Sequence, residues 1–537
     1  MATELLQAKE ALDSVALRYR GPGGAIAVLK DGQVIAQRVW GYADLDQRLS
    51  LGPDTQMPIC SISKQFICAL ILDLQRSPPP AVATKGDVLK QLSDQLAELL
   101  HPDLIEGDGL KLEHLYDMQS GLRDYWAMTT LWGAKPEDEF LMQRDCPPAL
   151  ARTRSTHFKP GSEFSYCNVN FHILGQAIER VTGNSLANLL KERILDPAGM
   201  ATAFLCPNTA QHPPPCVGYE GDEKSGYVPA VNRMEWAGDA GIVASLSDMI
   251  SYEKYLDQQF SDPQSWYRTA TQLQTYSDGT AAPYHYGLFH SKIDDVDTFG
   301  HGGALRGYRI HRCHAPVERL SAVAFLNHEA DAEGAVVDVF RSLLKKPKPE
   351  YPPVEPSPAW FGSFLDEDSH LAITITKGST LGELIVNYEG SPESIRLSDP
   401  TTSRSSQIVA TIEGDVLKMH RILENRKLEA RRLAWQDSVL KDNYLKGTYR
   451  SDEVDSVFDW SGESGMFYGA FEGYLGRGSV APMRYLGDDV WAVTCPRGLD
   501  APSPGDWTLV LSRSGDGQVT GFTIGCWLAR GVKFVKV

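Results

Sequence analysis

Three short motifs stand in the order that acyl transfer through a serine would need. Ser61 and Lys64 are three residues apart at the head of Gln65–Leu72, an apolar run that reads as a buried helix. Residues at that spacing share a helix face, so the Lys64 amine comes within reach of the Ser61 hydroxyl. The helix N-terminus there favours developing negative charge. Lysine serves as a base only when neutral, and burial lowers its pKa. The same Ser-x-x-Lys pattern occurs at Ser251–Lys254, Ser342–Lys345 and Ser438–Lys441, where a polar segment, a proline-rich stretch and a connection between β segments explain it. Tyr166-Cys167-Asn168, in contrast, is the single Tyr-x-Asn of the chain. It follows the turn Lys159-Pro160-Gly161-Ser162 and precedes an apolar helix, so the phenol is presented from a loop as a proton relay. Asn168 is placed either to bind the carbonyl side of a substrate or to hold Lys64.

The third motif is His301-Gly302-Gly303, in a strand whose glycines permit close approach of a ligand. The peptide N–H of Ala304 can complete an oxyanion hole with that of Ser61. His301 is expected to be mostly neutral and so a poor holder of a carboxylate. His285, among Tyr284 and Tyr286, reads as a packed histidine.

The elements that must position these groups follow from pattern. The 537 residues exceed what one core usually serves, and 42% hydrophobic with 23% charged residues is a globular composition. Before the linker the pattern is α/β: Ala25–Leu29 and Val34–Val39 form a hairpin around Lys30-Asp31-Gly32, and Asn168–Thr182 and Asp248–Tyr255 read as helices. A catalytic domain over 1–345 precedes a linker over 346–358, within a stretch from Lys345 to Pro358 that holds six prolines. Beyond it, alternating segments such as Leu371–Thr376, Glu383–Tyr388, Val490–Thr494 and Trp507–Leu511 read as strands. The pattern around Gly362 returns around Gly447, dividing this half into modules at 359–444 and 445–537. Small closed barrels are expected, because closure removes strand edges.

A net charge of −17 speaks against nucleic acid and anionic membranes as partners. Met1–Ala16 reads as an amphipathic helix instead of a secretion signal, and nine cysteines without CxxC or Cys/His clusters suggest a reducing, cytoplasmic setting with no metal site. No uninterrupted apolar run reaches the roughly 18 residues of a membrane span.

With Pro58–Phe66, Gln119–Trp126, Phe164–Asn168, Gly238–Gly241 and Gly300–Gly307 together, the chain resembles the serine D-aminopeptidases, relatives of class C β-lactamases and DD-carboxypeptidases. The resemblance implies a β-lactamase-like, penicillin-recognising α/β domain followed by two eight-stranded antiparallel, lipocalin-like barrels. It implies a loop from the last barrel entering the active site, here Arg497, Gly498, Leu499, Asp500, Ala501, Pro502, Ser503, Pro504, Gly505, Asp506 and Trp507. Asp500 would bind the substrate's α-ammonium, and a carboxylate there would repel penicillin.

The activity implied is release of a small N-terminal D-residue, such as D-Ala, from a peptide, amide or ester, through an acyl-enzyme on Ser61. Ser61, Lys64, Tyr166 and His301 would be catalytic, and Asn168, Asp500, Gly303 and Ala304 would bind substrate. No metal or organic cofactor is expected. The partner is a small substrate with a free amine, and a homodimer is left open. The alternatives are a β-lactamase, esterase or DD-carboxypeptidase using Arg306 or Arg309 against a carboxylate, and a silent binding scaffold. Two stretches depart from the family pattern: Ser77–Ile105, expected to be an added surface loop, and Gly473–Val480. Cys60 and Cys167 are expected to be small buried thiols.

Overall fold

A computed structural model describes residues 2–345, 351–388, 392–436 and 443–537. The Ser438–Lys441 motif and the start of the linker therefore lie outside the described residues.

The first part is built on an eight-stranded antiparallel sheet. Its order is Tyr284–His285, Leu288–Ile293, Val296–Leu305, Tyr308–Ala315, Leu320–Leu326, Gly23–Lys30, Gln33–Asp44 and Leu49–Ser50. The N-terminal hairpin turns at Asp31-Gly32, both at positive φ, as a tight two-residue hairpin requires. Its first strand pairs with the last strand of the sheet, Ala25 opposite Phe325 and Ala27 opposite Val323. The helical residues between the two halves of the sheet are thereby clamped as a layer against it. Both faces are covered, so both alternating sets of side chains are apolar: Ile26 and Val28 pack under helices Ala2–Arg18 and Ala332–Leu344, while Ala25, Ala27 and Leu29 join the core beneath the helical layer.

The central helix Ser63–Arg76 is buried almost throughout, which accounts for its apolar sequence. Helix Asn168–Thr182 packs beside it and stops at Gly183 in the left-handed conformation. The expectation of an added surface loop at 77–105 is corrected. Asp87 caps a helix over Val88–Leu99, accepting from the Lys90 N–H at 2.8 Å, and its buried Val88, Leu92 and Leu96 pack towards helix Asn168–Thr182.

The second half forms two closed barrels. In the first, eight strands from Gly362–Asp366 to Arg426–Arg432 close by pairing Phe364 with Arg432 and Asp366 with Ala430. Aliphatic residues including Ile373, Ile375, Val386, Ile395 and Ile412 dominate its core. In the second, Ser456–Glu463 pairs with both Gly447–Ser451 and Met466–Gly473 and closes the ring. This core is aromatic, with Tyr449, Phe458, Trp460, Trp491 and Phe522 in edge-to-face and tilted contacts and Trp507 buried among them. Its hairpin around Gly476 docks backbone to backbone on the helical layer. A Cβ on Gly133 would stand 2.1 Å from the Gly476 carbonyl oxygen, and one on Gly473 2.8 Å from the Trp132 Cα.

Beneath the site, Arg312 and Glu253 are both fully buried and joined at 2.5 and 3.0 Å, and Arg312 also donates to Gln65 Oε1 at 3.2 Å. Removing one partner strands a charge in the interior. Glu253→Leu is expected to cost about 3–5 kcal/mol, read as a lowered thermal midpoint, whereas Glu253→Leu combined with Arg312→Met recovers most of the loss.

Candidate active site

Cys60 precedes the nucleophile with φ +53°, a left-handed conformation that costs a non-glycine residue about 1–3 kcal/mol and throws Ser61 into a 3-10 turn ahead of helix Ser63–Arg76. Strand Val296–Leu305 lies directly against this turn. A Cβ at Gly303 would fall 2.4 Å from the Ile59 carbonyl oxygen, so only glycine fits. Pairing of this strand with Leu288–Ile293 ends at Gly300, and residues 301–305 therefore present an open edge towards Ser61. Gly303 thus acts by permitting approach, and Ala304 follows it on that edge.

Lys64 is fully buried. Its ammonium donates to Ser61 Oγ at 3.0 Å, Asn168 Oδ1 at 2.8 Å and the Asp239 carbonyl at 2.7 Å. Burial pulls its pKa down to about 8, while Asp239 and Asp124 pull the other way. Once neutral, it offers a lone pair for the Ser61 proton.

Of the two roles open to Asn168, the free protein shows the contact that the second requires. Its Oδ1 faces Lys64, and its amide and peptide N–H groups both donate to Asp124 Oδ2, at 2.8 and 2.6 Å. Both ends of the side chain are engaged inside the protein, so in the free protein Asn168 holds Lys64. Asp124 and Asp239 are the residues that motif reasoning missed. Both are fully buried, and both lie in the stretches Gln119–Trp126 and Gly238–Gly241. Asp124 also caps helix Tyr125–Leu131, and its own peptide N–H donates to Leu528 of the second barrel at 3.0 Å.

Burial pushes the Tyr166 phenol far above its usual pKa, with the Ser61 hydroxyl pulling against that rise. The hydroxyl completes no well-aligned hydrogen bond in the free protein. The Lys64 ammonium stands 4.9 Å from the ring centre. Tyr166 is therefore a neutral phenol that can hand a proton to a leaving amine, and Lys64 is the group that can serve as base.

For a catalytic His301 the structure narrows the role. Burial, with Lys64 nearby, lowers its pKa to about 3. Its Nδ1 lies 2.5 Å from the Gly302 carbonyl and must donate, leaving Nε2 to accept from the Tyr284 hydroxyl at 3.1 Å. Both nitrogens are engaged, and the ring supports Tyr166, centroids 6.1 Å apart. His285 is buried and holds Asp117 at 2.6 Å. Cys60 and Cys167 are fully buried, and burial raises both thiols.

The loop between Val493 and Trp507 leaves the second barrel and enters this region. Trp507 is corrected from loop to strand: it pairs with Val493 and is buried in the barrel core. At the loop's base, Asp506 accepts from the Cys495 N–H at 3.3 Å. At its tip, Asp500 is buried, and its Oδ2 accepts from the Thr209 hydroxyl at 2.7 Å and from the peptide N–H groups of Arg233 and Met234 at 3.0 and 3.1 Å. Its main-chain oxygen accepts from the Arg306 N–H at 2.8 Å, two residues beyond Ala304. Segment 233–239 therefore holds Asp500 at one end and Lys64, through the Asp239 carbonyl, at the other. Burial raises the Asp500 carboxyl to about 6, against the Thr209 hydroxyl and the two N–H groups. No motif marks Thr209, Arg233 or Met234, because two of the three act through their backbone. Among the described residues, no group of His, Cys, Asp and Glu is arranged to hold a metal ion, and no helix is long and apolar enough to cross a membrane.

A neutral fluorophosphonate should label Ser61 at a rate that rises about tenfold per pH unit below pH 8 and levels above it, because protonated Lys64 cannot take the proton. A flat profile between pH 6 and 8 would remove Lys64 as the base.

Comparison with known proteins finds relatives of both halves of the chain. A family model described as beta-lactamase matches residues 3–344, and one described as D-aminopeptidase, domain B, matches residues 353–535. A D-aminopeptidase of Brucella anthropi is 43% identical over 519 residues, covering 97% of this chain and 96% of that protein. One of Brucella melitensis is 41% identical with the same coverage. Among solved structures, SurE aligns with a TM-score of 0.51 at 18% identity over 80% of this chain and 99% of its own. A D-stereospecific amidohydrolase from Streptomyces aligns with a TM-score of 0.50 at 18% identity, covering 63% and 97%. These two show the fold alone.

Proposed function

The chain belongs to the D-aminopeptidase family of β-lactamase-like serine hydrolases, and from that premise we propose that it releases a small N-terminal D-residue from peptides, amides or esters. The observation that carries the substrate reading is Asp500. Among the described residues its three side-chain hydrogen bonds all converge on Oδ2, leaving Oδ1 for an α-ammonium.

Substrate amine at Asp500 and carbonyl at the Ser61 and Ala304 N–H groups fix two points of the α-carbon. The hand of that carbon then decides where its side chain goes. Neutral Lys64 takes the Ser61 proton as Oγ attacks the carbonyl, and the oxyanion is held by the two peptide N–H groups. Collapse expels the leaving amine, which receives a proton from Tyr166, itself reprotonated from Lys64. Water then cleaves the Ser61 ester along the same relay.

The alternative with a cation for a substrate carboxylate loses its candidates. Arg306 is held by Glu220 and Glu137, at 2.8 and 3.2 Å, and Arg309 by Glu329 at 3.5 Å with two backbone carbonyls.

With D-alanine p-nitroanilide, kcat/KM should describe a bell with its maximum near pH 8. The acid limb is Lys64, steepening below about pH 6 as Asp500 also protonates, and the alkaline limb is loss of the substrate ammonium, whose pKa is about 7.7–8.0. Asp500→Ala should lower kcat/KM roughly 30- to 1000-fold, an effect of about 2–4 kcal/mol. Turnover of the N-acetylated or the L-isomer at the rate of the D-isomer would sink the reading.

A further inference from the structure

A loop leaving one barrel to complete a site in another unit has no sheet of its own to hold it. Between Val493 and Trp507 the chain makes only an isolated bridge, Gly498 with Ala501. Besides the hydrogen bonds that Asp500 itself makes, what ties it across is a balanced set of three arginines and three glutamates from five segments. Arg497 Nη2, on the loop, meets Glu329 Oε1 and Oε2 at 2.9 and 3.1 Å and Glu220 Oε1 at 3.0 Å. Glu220 also takes Arg306 at 2.8 Å, which reaches on to Glu137 at 3.2 Å, and Glu329 also faces Arg309 at 3.5 Å and accepts from the Gly307 N–H at 3.1 Å. Arg497, Arg306, Glu220 and Glu329 side chains keep between 10% and 22% of their exposure, so the network is shielded and shared, unlike an isolated surface pair. Burial opposes ionisation of Glu329, yet Arg309 and Arg497 hold its pKa below the usual range.

The network and Asp500 share a strand end. Arg306, whose side chain is in the network, donates its peptide N–H to the Asp500 carbonyl at 2.8 Å, and Arg497 lies three residues before Asp500. We propose that Arg497 is the positioning residue for amine recognition: by bridging Glu220 and Glu329 it fixes the loop so that Asp500 stands at the substrate's α-ammonium. All three contacts are made by Nη2 alone, so the guanidinium bridges the two carboxylates through one nitrogen, at a reach that the shorter lysine side chain does not match. This rests on the reading of Asp500 as the amine ligand.

The test compares D-alanine p-nitroanilide with propionic acid p-nitroanilide, which lacks only the amine, in wild type, Arg497→Met and Arg497→Lys. Fluorophosphonate labelling of Ser61 is the internal reference for an assembled site. In Arg497→Met, KM for the alanine substrate is expected to rise about tenfold or more with kcat within about threefold, and the preference for the amine-bearing substrate to fall by a similar factor relative to labelling. Arg497→Lys should fall between. Wild-type preference retained in Arg497→Met, or lost only in proportion to labelling, overturns the proposal. Absence of any amine preference in wild type removes the Asp500 reading, and this inference with it.

Discussion

A lysine taken wholly out of water is the constraint around which this protein is arranged. Lys64 must be desolvated for its pKa to fall to about 8, yet its ammonium form must be satisfied or the fold would expel it. Three acceptors resolve that conflict, and each is itself held. Asn168 is oriented by Asp124. The Asp239 carbonyl is fixed because the Asp239 carboxylate takes the Tyr125 hydroxyl at 2.6 Å and the Ala237 N–H at 2.8 Å. The third acceptor is Ser61 itself, and deprotonation of Lys64 turns that contact into the activating one.

Burial also divides the labour among the remaining groups. It raises Tyr166, lowers His301 and raises Asp500, so at neutral pH the site holds a neutral phenol, a neutral imidazole and an ionised carboxylate. A neutral His301, with both nitrogens engaged, cannot hold a substrate carboxylate. The charge in the cleft is instead the negative one that Asp500 brings from the second barrel. On the proposed reading, nucleophile activation and the choice of substrate end come from different parts of the chain.

On that reading, docking of the second barrel is part of catalysis. It meets the helical layer at close glycine contacts around Gly133 and Gly473, and at the Leu528 carbonyl, which accepts from Asp124, the residue that orients Asn168. An aromatic, closed barrel is a stiff base for a loop without strands of its own.

Local pattern alone made Ser61, Lys64 and Tyr166 legible, because a fixed helical spacing and a loop-to-helix junction are short-range properties. It likewise marked the hairpin at Asp31-Gly32 and the start of helix Asn168–Thr182. Alternation in the second half marked short strands, and the echo of Gly362 at Gly447 marked two modules. The assignment of Asp500 drew on family resemblance, since an aspartate before Ala-Pro carries no local sign of its role. The helix over Val88–Leu99 escaped because polar residues cover its outer face and only packing reveals Val88, Leu92 and Leu96 as its inner one. Asp124, Asp239, Thr209 and the N–H groups of Arg233 and Met234 were decided by tertiary structure. Their contacts reach up to hundreds of residues along the chain, and several are made by backbone atoms that every sequence has.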